Sequence, residues 1–354
     1  MDSVLCLSIS KDRGEKARRL LKTLGLFNED WTIETDDVRL YIPLLRRPSS
    51  DEDRKISEEI CQYEIVHRSL NARAKKRSRN LKGFLTNKLT ASQLKLLPRA
   101  FDIIGDIAVI EIPPELRSVK KKIGDALIAI HRNVNSVFAK AGSVRGKYRT
   151  RMLEHIAGVN KTETTYREHG CAYQLDVSKV YFSPRLSAER GRVAAQIKPQ
   201  EVVLDMFAGV GPFSVLIAKT KGVNVYAIDI NPYAIYYLRK NILANQVNSL
   251  VTAYLGEARE IVEKNYRRIA DRVIMNLPEE ASRYLDVACL AIKRSGGTIH
   301  FYEFRSSNAP VEEAIAETSN KIQAYGRKLE SISGRKIKES APFKWHVGLD
   351  IKIK

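Results

Sequence analysis

The sequence predicts a multidomain α/β protein that ends in a doubly wound sheet. Its 354 residues are enough for two or three domains at about 150 residues each. From about Val193 onward, apolar runs typical of strands alternate with helical patterns, as in a doubly wound sheet. Within that part, an apolar run at residues 202–204 ends in Asp205 and leads through a Gly-x-Gly turn into a helical pattern. These three observations place the largest domain in the last part of the chain.

Composition excludes several classes of protein. Hydrophobic residues make up 44% and charged residues 29% of the chain, values that exclude a disordered tail and a collagen-like fibre. No apolar run approaches the roughly 18 residues that a membrane-spanning helix needs, so no membrane partner is expected. The first six residues have neither a basic segment nor a long apolar one, so we expect no signal peptide.

The cysteines and histidines predict no metal site. Cys6, Cys61, Cys171 and Cys289 are scattered without a C-x-x-C pair, and the six histidines lack ligand spacing. The same scatter argues against a disulfide framework and is typical of a reducing compartment. We therefore expect a cytoplasmic protein without a metal ion.

The net charge predicts a polyanionic partner. Sixty Lys and Arg residues against 41 Asp and Glu residues give +19, and nucleic acid is the leading candidate. Ten basic residues fall between Arg68 and Arg99, and no acid occurs between Glu64 and Asp102. Residues 67–99 are therefore predicted to be a basic linker, either a solvated spacer or, as we favour, an arm that contacts phosphates.

Residues 1–66 predict a small α+β domain. They carry 11 basic and 14 acidic residues, so this domain is not the source of the positive charge. Residues 4–9 alternate as a strand, residues 11–24 have helical spacing, and Gly25 is placed to end that helix. Two further strands are predicted at residues 38–43 and 63–66.

Residues 100–190 predict a mixed α+β middle domain. Residues 101–112 are predicted to form two strands that turn at Gly105, and Pro113-Pro114 begins a helix that runs to about His131. Two more strands are predicted at residues 136–140 and 173–181. The doubly wound domain is predicted to occupy residues 191–354.

The strongest chemical signal is the turn after residue 204. Gly209 and Gly211 let the backbone approach a ligand closely, and the next helix presents its electropositive N-terminus. Asp229 ends the following strand, 24 residues after Asp205, where a carboxylate can accept both hydroxyls of a ribose. The dinucleotide fingerprint requires a third glycine where Ser214 stands. The pattern therefore fits S-adenosylmethionine better than NAD, with an ordinary packing turn as the simpler alternative.

Two more predicted strands end in polar residues. Glu257 follows the third strand, and residues 276–278, Asn-Leu-Pro, end the fourth. In an open α/β sheet, ligands bind beyond the carboxyl ends of the strands, so all four strand ends are expected to face one crevice. The Asn276 amide can bond a base edge, while Pro278 fixes the turn and removes a competing donor. A plain strand-ending turn is the alternative for these three residues.

With these motifs the chain resembles the archaeal and eukaryotic tRNA (guanine-37-N1)-methyltransferases over nearly its whole length. The motifs that carry the resemblance are residues 148–151 (YRTR), 153–158 (LEHIAG), 176–186 (DVSKVYFSPRL), 189–190 (ER), 205–213 (DMFAGVGPF), 227–232 (AIDINP) and 274–278 (IMNLP). The resemblance implies a small N-terminal domain that binds the outer corner of tRNA, a middle domain, and a Rossmann-like methyltransferase domain that uses S-adenosylmethionine. It also implies a monomer that binds the tRNA anticodon loop, with no protein partner.

The resemblance also implies roles for single residues. The catalytic set is Glu189 as general base, Arg149 at O6 of guanine, and Asn276 with Pro278 in the base pocket. The cofactor set is Asp205, Phe207, Ala208, Gly209, Val210, Gly211, Asp229, Ile230, Glu257 and Asn276. The substrate set is Arg149, Tyr181, Arg185 and Arg190, and the charge of the basic run, not the resemblance, adds Lys75, Lys76, Arg77 and Arg79. Glu257 departs from the family, which commonly has Asp there, so the adenine contact is the least defined.

These residue types suit methyl transfer to guanine N1. The N1 position carries a proton at neutral pH, and a carboxylate within hydrogen-bond reach can remove it as the methyl group arrives. Negative charge then develops on O6, where a guanidinium stabilises the transition state more than the ground state. A base inside an RNA stack must also leave that stack to be modified, which fits a pocket with one Arg and one Asn. Without the resemblance, a surface charge pair at Glu189 and a phosphate contact at Arg149 would be the simpler interpretations.

Three other functions are possible. A relative in the wyosine pathway on the same scaffold, or a bifunctional enzyme, could methylate tricyclic guanosine at the same position. An aminocarboxypropyl transferase is disfavoured by Asn276, which we expect that branch to lack. A non-catalytic RNA-binding protein is disfavoured because Asp229 and the whole glycine turn are present.

Overall fold

The chain divides into two compact units, residues 1–78 and residues 79–354. The computed structural model describes residues 3–72, 80–142, 148, 152–341 and 343–354. Across these residues, no helix is both long and apolar enough to cross a membrane.

The first unit is a small α+β fold around one antiparallel sheet. Its elements are β1 (Ser3–Ser10), α1 (Gly14–Thr23), β2 (Glu34–Thr35), β3 (Arg39–Pro43), α2 (Ser50–Glu59) and β4 (Glu64–Ser69). The strand order is β2-β3-β1-β4. Leu7, Leu21, Ile42 and Ile56 are fully buried together, so both helices pack on the sheet through apolar side chains.

One helix of the first unit was not predicted. Ser49 and Glu52 form a capping box at the start of α2, in which each side chain accepts from the other residue's backbone N–H. Only Ile56 of this helix is buried, so its apolar periodicity is weak. The last strand also extends to Ser69, beyond the predicted domain boundary at residue 66.

The first part of the second unit contains a four-stranded sheet in the order β5-β6-β7-β8. Its elements are α3 (Leu81–Leu85), α4 (Ala91–Leu96), β5 (Phe101–Ile104), β6 (Ile107–Ile110), α5 (Lys120–Ile130), β7 (Ser136–Lys140) and β8 (Leu153–Gly158). The predicted turn at Gly105 is confirmed, with a φ of +60°. A Cβ there would lie 2.1 Å from Oγ1 of Thr164, so only glycine fits.

The C-terminal part of the linker predicted at residues 67–99, from residue 80 onward, is folded. Leu81, Leu85 and Leu97 are buried in the same apolar cluster as Ile123 and Leu127 of α5. The charged side chains of this segment obscured that apolar pattern. The residues from 80 onward therefore belong to the middle fold rather than to a spacer.

A two-stranded hairpin connects this sheet to the rest of the unit. It consists of β9 (Glu163–Glu168) and β10 (Cys171–Asp176). The strand predicted at residues 173–181 ends at Asp176, because one Asp176 carboxylate oxygen accepts hydrogen bonds from the backbone and hydroxyl of Ser178 and forms a turn. Tyr181 then lies in a loop, not in a strand.

The remaining residues form a doubly wound sheet, as predicted. Its elements are α6 (Ser187–Gln196), β11 (Val203–Asp205), α7 (Pro212–Lys221), β12 (Val225–Asp229), α8 (Pro232–Ala244), β13 (Val251–Leu255), α9 (Ala258–Asn265), β14 (Arg272–Met275), α10 (Leu285–Ala291), β15 (Gly297–Arg305), α11 (Pro310–Ala324), β16 (Leu329–Ala341) and β17 (Lys344–Ile353). The strand order is β13-β12-β11-β14-β15-β17-β16, and β17 is antiparallel to both of its neighbours. Helix α6 crosses the predicted domain boundary at residues 190 and 191 and belongs to this fold.

This topology determines where the site lies. The strands β11, β12, β13 and β14 are parallel, so their carboxyl ends meet at one edge of the sheet. The order reverses at β11, whose neighbours are β12 on one side and β14 on the other. Such a switch point leaves a crevice beyond the strand ends.

Candidate active site

The glycine turn after β11 is held in a shape that only glycine adopts easily. Gly209 and Gly211 have φ values of +57° and +87°. A Cβ on Gly211 would lie 2.3 Å from the side chain of Leu238, and a Cβ on Gly209 would meet nothing closer than 3.9 Å. Gly211 is therefore needed for packing, while Gly209 leaves open space in front of the turn.

Asp205 holds this turn from behind. Its carboxylate is 1% exposed and accepts a 2.7 Å hydrogen bond from the Ser214 hydroxyl on α7. Burial raises the pKa of Asp205 to about 7, with a smaller contribution from the negative charge of Asp229. Asp205 supports the turn and does not line the cavity in front of it, so its contribution to cofactor binding stays a prediction.

Asp229 joins the second strand to the same turn. One carboxylate oxygen accepts from the backbone N–H of Gly209 at 2.7 Å, and the other accepts from that of Asn231 at 2.9 Å. Burial raises the pKa of Asp229, and the backbone donors oppose that effect. The carboxylate thus fixes the turn and also faces the space in front of it.

A cavity of about 590 Å³ lies beyond these strand ends. Ten predicted site residues line it: Phe207, Ala208, Gly209, Asp229, Ile230, Glu257, Asn276, Pro278, Tyr181 and Arg190. Val210 and Gly211, assigned to the cofactor set, do not line it, because Val210 packs against the hairpin and α8 instead. The cavity therefore brings most of the predicted cofactor and base-pocket residues together.

The Asn-Leu-Pro turn after β14 forms the opposite wall. The carbonyl of Pro278 accepts from the backbone N–H of Phe304 at 3.1 Å, which ties the turn to β15. The side-chain amide of Asn276 makes no hydrogen bond within the part of the chain that the structure describes. A half-buried amide in a cavity wall is thus available to a ligand with donors and acceptors on its edge.

Glu189 lies outside the cavity lining, in a cluster of charged groups behind it. Its carboxylate accepts hydrogen bonds from Arg192 at 2.8 Å, Arg335 at 2.7 Å and the Tyr302 hydroxyl at 2.8 Å. Both arginines also bind Asp350, which completes the cluster. The side chain is 7% exposed. In this arrangement, two guanidinium groups and one hydroxyl contact the carboxylate, which does not line the cavity.

The side chain of Arg190 is also bound by other residues of the protein. Its guanidinium forms two hydrogen bonds with Glu168, at 2.5 and 2.7 Å, and two with the carbonyl of Ser183. The residue is 1% exposed and stacks over the ring of Phe182. Arg190 therefore supports the cavity wall at residues 182–183, and its role in substrate binding stays a prediction.

Family models match successive parts of the chain. The TRM5/TYW2 methyltransferase domain matches residues 164–330, the TYW2 N-terminal domain matches residues 81–162, and the tRNA methyltransferase 5 N-terminal domain matches residues 6–53. The tRNA (guanine(37)-N(1))-methyltransferase Trm5b of Pyrococcus abyssi is 41% identical over 352 residues, which is 99% of each chain. The chain belongs to the archaeal-type Trm5 family of tRNA methyltransferases.

Two further similarities bear on the family assignment. A solved structure described as the complex of aTrm5 and tRNALeu covers 99% of this chain and 100% of its own, with 32% identity and a TM-score of 0.81. The tRNA 4-demethylwyosine(37)-methyltransferase Taw21 of Saccharolobus solfataricus is 36% identical over 72% of this chain and 94% of its own length. The fold predicted from the Trm5 resemblance is thereby confirmed.

The other predicted substrate residues are not part of the described lining of this cavity. Arg185 lines a neighbouring cavity and is bound to Asp102 at 2.6 Å. Five others fall outside the described residues: Arg149, Lys75, Lys76, Arg77 and Arg79. Their roles stay predictions.

Other residues of this Trm5-type cavity were missed. Tyr284, Phe304 and His346 line it. His346 is 2% exposed, neither of its ring nitrogens has a partner among the described residues, and burial with the nearby Lys338 charge lowers its pKa to about 4. Phe304 and His346 follow the ordinary alternation of strands, and Tyr284 ends a short 3₁₀ helix, so nothing in the sequence distinguishes them from core residues.

Proposed function

We propose that this chain transfers a methyl group from S-adenosylmethionine to N1 of guanosine 37 of tRNA, the base that follows the anticodon. The observation that carries the proposal is a single cavity with a glycine turn and Asp229 on one wall and the Asn276 amide on the other. Family membership, with Trm5b 41% identical over 99% of the chain, supports the same activity.

The first wall fits S-adenosylmethionine. Gly209 leaves room for a ligand against the backbone, and Asp229 and Glu257 offer carboxylates to hydroxyl or amino donors. Phe207 and Ile230 add apolar surface suited to an adenine ring. The cofactor supplies the electrophilic methyl group. The chain contributes the position of that group and the exclusion of water.

The second wall suits a guanine base. The Asn276 amide can both donate to and accept from a base edge, and Pro278 keeps the turn rigid without adding a backbone donor. Arg149, which the resemblance places at O6, would stabilise the negative charge that develops there. A base can enter such a cavity only after leaving its stack, so we expect the target nucleotide to be flipped.

Glu189 is the proposed acceptor of the N1 proton. The support for this role is the family motif at residues 189–190, whereas the structure places the carboxylate between Arg192 and Arg335. Glu189 must therefore exchange at least one arginine partner for the substrate before it can act as a base.

A second candidate substrate is tricyclic guanosine at the same position. The observation that favours it is the similarity to Taw21, at 36% identity over 72% of this chain. The two activities can be combined in one cavity, since both place a guanine-derived ring against the same strand ends.

Mass spectrometry of nucleosides separates these candidates. An unmodified tRNA transcript with guanosine 37, incubated with the chain and labelled S-adenosylmethionine, should yield labelled 1-methylguanosine. A transcript with adenosine 37 is the control for position, and tRNA that carries 4-demethylwyosine tests the second substrate. Absence of label from the first transcript, with label on the 4-demethylwyosine tRNA alone, would replace the first candidate by the second.

We also propose that the reaction takes place in the cytoplasm. The support is that all four cysteines are unpaired, three of them buried and Cys61 exposed. Free thiols in this number are typical of a reducing compartment.

A further inference from the structure

A second cavity of about 570 Å³ adjoins the first one. The two cavities share walls at Tyr181, Phe182, Ser183, Glu279 and Phe304. The remaining walls come from the middle sheet and from the hairpin of β16 and β17. A polymeric substrate that inserts one group into the first cavity would therefore run past the second cavity.

The second cavity contains a half-buried cation that has no carboxylate partner among the described residues. Lys338 on β16 lies within 3.3 Å of the Ser183 hydroxyl and forms no ion pair with the part of the chain that the structure describes. Burial lowers the pKa of Lys338, and the positive charge of Arg185 lowers it further. A half-buried ammonium group without an ion-pair partner loses part of its hydration, and a bound anion would offset that cost.

The neighbouring groups do not neutralise this cation. Asp102 is bound to the guanidinium of Arg185 at 2.6 Å, and Glu339 accepts from the backbone N–H of Phe343. Lys140, which lies 3.5 Å from a Glu111 carboxylate oxygen, and Lys344, which stands over the ring of Phe304, also line this cavity. His346, paired across the hairpin with Lys338, has a lowered pKa and is neutral at pH 7. The described lining of the second cavity thus has four cations, Lys140, Arg185, Lys338 and Lys344, against three carboxylates, Asp102, Glu279 and Glu339.

We propose that Lys338, with Arg185 beside it, binds a phosphodiester group of the RNA strand directly next to the target nucleotide. The inference rests on the proposed function, because it places the target base in the first cavity. A flipped nucleotide brings its flanking phosphates to the mouth of the pocket that holds its base. Phosphate is the anion that an RNA strand supplies at that place, and a lysine binds it as a point charge.

The test combines a protein variant with a modified RNA. Lys338→Met removes the charge and keeps an apolar stem, and a tRNA carrying a methylphosphonate on the 5′ or 3′ side of guanosine 37 removes one phosphate charge. For the wild-type chain, the methylphosphonate at one of the two positions, 5′ or 3′ of guanosine 37, should weaken tRNA binding about tenfold. In Lys338→Met the affinity for unmodified tRNA should fall by a similar factor, and the same methylphosphonate should have no further effect.

Lys336→Met is the matched control. It removes the same charge from the same strand, but its exposed side chain stands over the ring of Trp345 and lines neither cavity. It should keep the wild-type response to both methylphosphonates. Binding of S-adenosylmethionine, measured by calorimetry, should be equal in all three proteins, which shows that each has folded.

The outcomes separate the inference from the proposed function. If wild type methylates guanosine 37 but Lys338→Met retains the full methylphosphonate effect, the phosphate site is wrong and the proposed function stands. If wild type forms no 1-methylguanosine, the proposed function itself fails. A Lys338→Arg variant should recover most of the affinity, because it keeps the charge, and failure to recover would count against a phosphate contact.

Discussion

The guanidinium of Arg335 donates hydrogen bonds to both carboxylate oxygens of Glu189, at 2.7 and 3.3 Å. Arg335 lies on β16 and Glu189 on α6, 146 residues apart in the chain. The proposed base is therefore held by a strand of the C-terminal hairpin. That hairpin also carries Lys338, so one element contacts both the base and the proposed phosphate site.

Glu189→Gln tests the role of this carboxylate in catalysis. The substitution keeps volume and hydrogen-bonding capacity but removes basicity, so single-turnover methyl transfer should fall by about 10²–10⁴-fold. Affinities for tRNA and S-adenosylmethionine should change little, because Glu189 does not line the cavity. Rapid-quench measurement of 1-methylguanosine at saturating enzyme gives the rate.

The control for Glu189→Gln is Glu263→Gln, an exposed carboxylate on α9. Glu280→Gln tests an alternative general base, because Glu280 lines the cavity. Near-wild-type rates in Glu189→Gln combined with a large loss in Glu280→Gln would transfer the role of base to Glu280.

Asp229→Ala should weaken binding of S-adenosylmethionine. The substitution removes both the carboxylate that faces the cavity and the acceptor of the Gly209 N–H. Loss of a charge-assisted hydrogen bond costs about 1.5–3 kcal/mol, so Kd should rise about 10- to 150-fold in calorimetry. Asp229→Asn keeps an acceptor for the Gly209 N–H, so its Kd for S-adenosylmethionine should lie between those of wild type and Asp229→Ala.

Glu263→Ala serves as the charge-matched control for Asp229→Ala and should bind the cofactor like wild type. An unchanged Kd in Asp229→Ala would remove this residue from the cofactor site and limit it to support of the turn.

Neutralising Lys75, Lys76, Arg77 and Arg79 together should reduce tRNA affinity and its dependence on salt. These residues form the densest part of the acid-free basic run, although they lie outside the described residues. For each phosphate that the arm no longer binds, the slope of log K against log salt should decrease by about 0.7 to 0.9. A variant with residues 73–79 in scrambled order keeps the charge and should keep the slope. If the neutralised variant also keeps it, the segment is a spacer.

The local parts of the fold could be predicted from the sequence because neighbouring residues determine them. The turn at Gly209 and Gly211 and the strand that ends at Asp229 depend on residues within one βα unit. Helix α2 could also have been found, since Ser49 and Glu52 stand at the spacing of a capping box. It was missed because only one of its residues is buried.

The partners of the site residues could not be predicted. Arg190 binds Glu168 on a hairpin strand, and Glu189 binds Arg335 on a distant strand. A sequence contains no information about which of the 60 Lys and Arg residues will meet a given carboxylate. Asp205 shows the same limit, because whether a strand-ending carboxylate faces a cavity or the core depends on packing from α7.

Asp205 should make stability depend on pH. Its pKa is raised from 3.8 to about 7 in the folded chain, so the folded state binds more protons than the unfolded state between these values. Stability contributed by this group is therefore greatest below about pH 4 and falls as pH rises to about 7. Asp205→Asn removes this dependence and keeps an acceptor for Ser214. Relative to wild type, the variant should gain about 2–3 kcal/mol in free energy of unfolding between pH 5 and pH 8.

The measurement must report on the second unit alone. The chain has two tryptophans, Trp31 in the first unit and Trp345 on β17, so a Trp31→Phe background makes urea unfolding of the second unit visible by fluorescence. Asp125→Asn, an exposed aspartate on α5, controls for the substitution itself and should change stability equally at both pH values. The contrary result is a difference in free energy of unfolding between Asp205→Asn and wild type that stays constant from pH 5 to pH 8. Asp205 would then be ionised throughout this range, and its burial behind the glycine turn would not raise its pKa to about 7.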